Sequence, residues 1–127
     1  MPENWRKRAE HYFSEDGRAI KGAEYWQDGD IERYGELCFE SGHSSIYNYE
    51  AGSEELKNSY NIMRRTEGIY GERFSGAGFR GCCMALINPE YAERIEYEVI
   101  KAYSKEFPLL EEKYSVHMCE SADEVTL

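Results

Sequence analysis

No run of about 18 consecutive apolar residues occurs anywhere in this chain, so no segment reads as a membrane-spanning helix. The first residues, "MPENWRKRAEHYF", place charges where a secretory signal needs an unbroken apolar stretch, and a cytoplasmic protein is expected. Cations are scarce: 15 Lys and Arg against 25 Asp and Glu leave a formal charge of -10, which repels nucleic-acid backbones and anionic headgroups. The four cysteines, at 38, 82, 83 and 119, lack any C-x-x-C spacing, which speaks against a redox motif or a zinc knuckle. Each lies in an apolar pattern where a thiol serves as a small hydrophobe, as in a reducing compartment. With only 3 prolines, no repeat and no low-complexity stretch, nothing marks a linker between domains.

What is present is enough for one domain. A chain of 127 residues that is 41% hydrophobic, with 11 Tyr and 5 Phe, can bury a core without disulfides. Apolar residues at Ala9, Tyr12, Phe13, Ile20, Ala23 and Trp26 form an approximate helical stripe that breaks at Asp28-Gly29. Asp30 caps a second helix carrying Ile31, Tyr34, Leu37 and Cys38, which is expected to give out in the small polar run "ESGHSS"; "IYNYEAG" reads as a connecting loop. Ser53 caps a third helix with Leu56, Tyr60 and Met63 inward and Gly68 as its stop.

The period then shortens. "YGERFSG" alternates and "CCMALI" is a continuous apolar run of strand length, so two adjacent strands joined by glycines are expected. Asn88 and Pro89 open a fourth helix with Ala92, Ile95, Val99, Ala102 and Tyr103 buried. "YSVHMC" reads as a strand with Val116 and Met118 on one face, and "EVTL" as a short final one. Helices followed by ββαβ predict an α+β fold with an antiparallel sheet covered by helices on one face.

The chemistry, if any, centres on "FSGAGFRGCCMALI", residues 74–87, where Gly76, Gly78 and Gly81 show G-x-G-x-x-G spacing. A dinucleotide turn must lead from a strand into a helix, but Gly81 leads into a strand, and no Walker A string is present. By spacing alone, a turn or bulge with positive φ at the glycines explains the pattern. Arg64, Arg65, Arg73 and Arg80 surround it, opposed locally by Glu67 and Glu72, so a small anion would be welcome there. A zinc site from His117 and Cys119 with Cys38 or His43 lacks the tight ligand pairs of real sites, and no metal ligand is assigned. Cys82 and Cys83 point to opposite strand faces, and His11 and His43 read as hydrogen-bonded structural histidines.

The stretch "GIYGERFSGAGFRGCCMALI" closely resembles the third motif of galactokinases in the GHMP superfamily of small-molecule kinases. "RAEHYFSEDGRAIKGAEYWQDGDIERYGELCFESGHSSI" resembles the helical region before it, "YEAGSEELKNSYNIM" the next helix, and "VHMCESADEV" the closing strand and tail. The resemblance implies the C-terminal domain, ferredoxin-like α+β, of a sugar 1-kinase that moves the γ-phosphoryl of ATP to the anomeric hydroxyl of galactose with Mg²⁺. It implies that residues 1–127 are one such domain and part of a longer two-domain kinase, the phosphate loop and catalytic Asp lying in the preceding domain. This chain alone is then inactive, has no catalytic residue, and binds no cofactor by itself. Ser75, Gly76, Ala77, Gly78, Phe79, Arg80 and Gly81 would line the nucleotide and substrate cleft, and Gly78→Ala would obstruct domain closure.

Two departures matter. Phe79-Arg80-Gly81-Cys82 stands where galactokinases usually have Phe-Gly-Gly-Cys, and Glu72 stands where Ala is usual. The Arg form looks closer to the galacturonokinase branch, whose substrate carries a carboxylate that a guanidinium suits. A free-standing, non-catalytic regulatory or binding module is the competing expectation. An excised domain would expose an apolar interdomain surface and could self-associate.

Overall fold

A computed structural model describes residues 1–76, 81–110 and 114–120. The first helix, α1 (Glu3–Gln27), stops at Asp28, and Gly29 takes a φ of 71°, the left-handed turn that only glycine enters without strain. The second, α2 (Ile31–Tyr47), starts where the Asp30 carboxylate accepts the Arg33 amide. In the third, α3 (Glu54–Arg64), Ser53 accepts the Leu56 amide, Glu54 and Glu55 face the positive end of the dipole, and Arg64 the negative end. The helix ends at Arg64, four residues ahead of Gly68, whose φ of 92° instead turns the chain into the sheet.

Strands β1 (Ile69–Phe74) and β2 (Cys83–Ile87) pair antiparallel, with Phe74 opposite Cys83, Glu72 opposite Ala85 and Ile69 opposite Ile87. One extra residue sits in β1 between Ile69 and Gly71, and it restores Ile69 to the face of Glu72 and Phe74. Asn88 accepts the Glu90 amide, Pro89 opens a short 3-10 turn, and α4 (Ala92–Glu106) follows with Ile95 and Val99 buried. The α+β architecture with an antiparallel sheet is as the sequence implies.

Two clusters hold these elements together. Phe39 and Ile46 of α2, Leu56 and Tyr60 of α3 and Phe74 of β1 form the first, with Ile69 and Cys83 against it. The Tyr60 hydroxyl donates to the Phe39 carbonyl at 2.8 Å, so the buried phenol tip is satisfied. Ile62, Ile95 and Val99 form the second, covered by Ile87, Tyr91 and Val116 among others. Gly35 and Gly71 let α2 and β1 touch backbone to backbone: a Cβ on Gly71 would stand 2.2 Å from the Gly35 carbonyl oxygen.

Three readings of the sequence are corrected. The stripe on α1 faces solvent: Tyr12, Phe13, Ile20 and Trp26 are exposed, while the face turned to α2 carries His11, Glu15, Arg18 and Gly22. Secondly, "ESGHSS" is helical, because its small polar side chains find partners on that polar face. Ser41 donates to the Glu15 carboxylate at 2.9 Å, Ser44 bonds the His11 ring at 2.8 Å, and Ser45 bonds back to the Ser41 carbonyl. Thirdly, residues 114–119 form no strand. Tyr114 instead stacks edge-on against Tyr103 at 4.5 Å and Val116 joins the second cluster, so side-chain packing, not a ladder, docks this segment. Residues 124–127, read as a final strand, lie outside the described residues.

Candidate functional site

The glycine segment is the connection from β1 to β2, strand to strand, which rules out the strand-to-helix context of a dinucleotide turn. The hairpin closes through the Ser75 amide, which donates to the Cys82 carbonyl at 2.9 Å. Gly76 has φ 85° and Gly81 φ 117°, so both need glycine for backbone angle. Among the described residues crowding is not the reason: a Cβ on Gly76 would meet none of them within 4 Å, and one on Gly81 only the Ser75 carbonyl oxygen at 3.9 Å. The two described ends of the loop are exposed backbone. Ala77, Gly78, Phe79 and Arg80 lie outside the described residues.

The arginines near this loop are partly committed. Arg64 reaches Glu36 at 3.3 Å and lies over the Phe39 ring at 4.5 Å, and Arg73 is 3.9 Å from Glu15. The two acids read as opposing them do other things: Glu67 pairs with Arg94 at 3.2 Å, and Glu72 is enclosed. An anion arriving at the loop does not meet four free guanidinium groups.

Behind the loop, α1, α2 and β1 share a polar seam. Burial pulls the Glu15 carboxyl upward, but the Ser41 hydroxyl, Arg18 and Arg73 outweigh it and hold the group below the usual carboxylate range. Burial pushes the His11 imidazole down, with Glu15 only partly opposing, so the ring is neutral at its contact with Ser44. His11 is thus a hydrogen-bonded structural histidine as expected, and His43 stacks on Tyr47 at 4.5 Å. A cavity of about 360 Å³ between α1, α2 and α3 is lined by Arg18, Phe39, His43, Tyr60 and Arg64 among others, and by none of the described loop residues.

The residue the sequence reading undervalued is Glu72. Its side chain is 1% exposed, and neither carboxylate oxygen has a hydrogen-bond partner among the described residues. Desolvation raises its pKa from 4.5 to about 7, the adjacent Cys83 thiol and Arg73 pulling back only weakly. In turn, burial and the Glu72 charge push the Cys83 thiol up, which makes it a poor nucleophile. The signal was visible as an acid in a strand position where the family pattern has Ala.

Chemically, the described residues present an exposed backbone turn backed by a hydrogen-bonded polar seam. Among them no three His, Cys, Asp or Glu side chains are grouped to hold a metal, and no helix is long and apolar enough to cross a membrane.

The comparisons with known proteins agree with this geometry. The family model for the GHMP kinases C terminal matches residues 19–105. A galacturonokinase of Arabidopsis thaliana is 48% identical over 121 residues, covering 92% of this chain and 28% of that protein. A galactokinase of Lacticaseibacillus casei is 37% identical over 76% of this chain and 25% of its own length. A galactokinase of Thermotoga neapolitana is 34% identical over 98% and 35%. Among solved structures, Lactococcus lactis galactokinase complexed with galactose superposes with a TM-score of 0.80 at 28% identity, over 84% of this chain and 28% of that one. The chain thus spans roughly a quarter to a third of the length of these relatives. By the match over residues 19–105 and the shared hairpin-and-helix architecture, this chain belongs to the GHMP kinase C-terminal family.

Proposed function

We propose that this chain is the C-terminal part of a cytoplasmic sugar 1-kinase that transfers the γ-phosphoryl group of ATP, with Mg²⁺, to the anomeric hydroxyl of galactose or its C6 acid, galacturonate. The observation that carries the reading is 48% identity to a galacturonokinase across 92% of the chain. The margin over the 34% and 37% identity to galactokinases favours the acid, as does the Phe79-Arg80-Gly81-Cys82 string.

In this reading Ser75, Gly76, Ala77, Gly78, Phe79, Arg80 and Gly81 wall the nucleotide and substrate cleft. Phosphoryl transfer needs a phosphate cradle, ligands for Mg²⁺ and a group that orients the acceptor hydroxyl. In this reading those parts lie in a preceding domain and the 127-residue chain is catalytically incomplete; that the chain spans only 28%, 25% and 35% of these relatives' lengths supports it. The exposed backbone at Gly76 and Gly81 supports the wall: it lets a second polypeptide or a bound nucleotide lie close.

A coupled ADP-release assay of the full-length protein tests this. Turnover is expected with galacturonate above galactose, and no sugar-dependent release with either refutes the kinase reading. Magnesium-dependent turnover by the 127-residue chain alone would refute its incompleteness. In the full-length enzyme Gly76→Ala strains the turn by about 1–2 kcal/mol without a clash against the described residues, so a larger loss of activity than of stability supports an opposing surface at the loop.

A further inference from the structure

One non-glycine among the described residues takes a left-handed backbone angle: Glu50, with φ 60°, in the turn of residues 48–53 between α2 and α3. Glutamate rarely enters that region, lacking the short side chain with which Asn or Asp bonds locally, so surrounding contacts must hold it there. Arg8 of α1 supplies them by gripping three consecutive residues. Its Nη1 donates to the Asn48 carbonyl at 2.8 Å, its guanidinium lies 5.4 Å over the Tyr49 ring, and its Nη2 donates to the Glu50 carboxylate at 3.0 Å. Lys7 brings a second cation 3.4 Å from that carboxylate. An exposed ion pair alone contributes little, but a planar guanidinium that also binds a main-chain carbonyl fixes the shape of the turn as well as its charge.

The turn held in this way leads to the root of the glycine loop. Ala51, 2% exposed, donates its amide to the Ser45 carbonyl at 2.9 Å, and Gly52 follows with φ 99°. Gly52 lies so close to Phe74 that a Cβ there would stand 2.9 Å from two carbons of the ring. Phe74 ends β1 opposite Cys83, and the amide of the next residue, Ser75, closes the hairpin on the Cys82 carbonyl. We propose that Arg8 and Glu50 are positioning residues: the guanidinium holds the strained turn, the turn seats Gly52 on the Phe74 ring, and that contact fixes where β1 hands over to the loop. The inference rests on the reading of the loop as a wall of the kinase cleft. A wall displaced by about 1 Å would misplace the reacting groups enough to slow transfer by up to about a hundredfold.

Amide hydrogen exchange at single-residue resolution in the full-length protein, paired with steady-state kinetics, tests this. Arg8→Ala releases the turn, and the Ser75 amide is expected to exchange at least about fivefold faster while the amides of α4 keep their rates. In the same variant kcat is expected to fall about tenfold with the sugar KM within about twofold of wild type, a split that a loss of folded protein with unaltered sites would not give for exchange and rate together. Adding Glu50→Gly is the discriminating step: glycine takes φ 60° without strain, so the turn regains its shape with no clamp, and both readouts are expected to return to within about twofold of wild type. Unchanged exchange at Ser75 in Arg8→Ala overturns the proposal. So does a double variant no better than Arg8→Ala, and so does faster exchange with kcat unchanged in an active enzyme. Exchange that responds and recovers in a protein that phosphorylates neither sugar keeps the positioning contact and rejects the sugar-kinase reading instead.

Discussion

Replacing Glu72 by Gln isolates the cost of enclosing a carboxylate. The group is buried against Phe74 and the first core cluster, and its oxygens have no partner among the described residues. The other ionisable groups it faces are the Cys83 thiol of β2, Tyr60 of α3 and Cys38 of α2, with Arg73 next to it in the chain. None supplies a charge-assisted bond, so desolvation decides and the folded-state pKa stands near 7 against 4.5 in the unfolded chain. A raised carboxyl pKa favours the neutral form in the fold. Stability from this group is therefore complete below about pH 4.5, falls as the unfolded chain ionises first, and is lost once pH passes about 7. The full difference amounts to about 3 kcal/mol, of which about 2.5 develops between pH 5 and pH 8. His11 has the opposite sign, its depressed pKa contributing stability above the usual imidazole range that is lost as pH falls, so a wild-type curve alone mixes the two. Urea unfolding followed by circular dichroism, with both proteins at both pH values, removes that ambiguity. The stability of Glu72→Gln relative to wild type is expected to rise by about 2.5 kcal/mol from pH 5 to pH 8. An unchanged difference would show that the carboxylate is hydrated or paired, and would refute the reasoning.

Other outcomes follow from the same coordinates. Gly71→Ala places a Cβ 2.2 Å from the Gly35 carbonyl oxygen, backbone against backbone, and should destabilise by more than about 3 kcal/mol, read as a fall in Tm. Tyr60→Phe removes the buried bond to the Phe39 carbonyl and should cost about 1 kcal/mol in denaturant unfolding, whereas a neutral result would mean water already serves that carbonyl. Ile95→Ala opens a cavity in the second cluster and should cost about 2–5 kcal/mol, with the slope of the denaturant curve unchanged.

Much of this fold is written locally. Asp30, Ser53 and Asn88 each satisfy a helix-start amide through their own side chains, and Gly29 and Gly81 take angles other residues avoid. Such features depend on neighbours a few residues away, and the glycine hairpin with its two strands was legible for the same reason. Glu15 and Ser41 are 26 residues apart, and the bond between them is what keeps "ESGHSS" helical; nothing in that hexamer alone announces it. The described ends of the candidate loop match the expected turn, while the committed state of Arg64 and Arg73 depended on where Glu36 and Glu15 fell.

Composition, caps, turn residues and hydrophobic period by themselves determined that this chain has an α+β core of four helices and a hairpin among its described residues, and its motifs pointed to the kinase family. Only tertiary structure decided which face of α1 is inside, that Glu72 is enclosed, and that residues 114–119 dock by side chains without a ladder. The physical reason is that amphipathicity says a helix has two unlike faces, but which one is buried depends on what the neighbouring element offers. Here α2 offered serine hydroxyls, and the polar side of α1 turned inward to meet them.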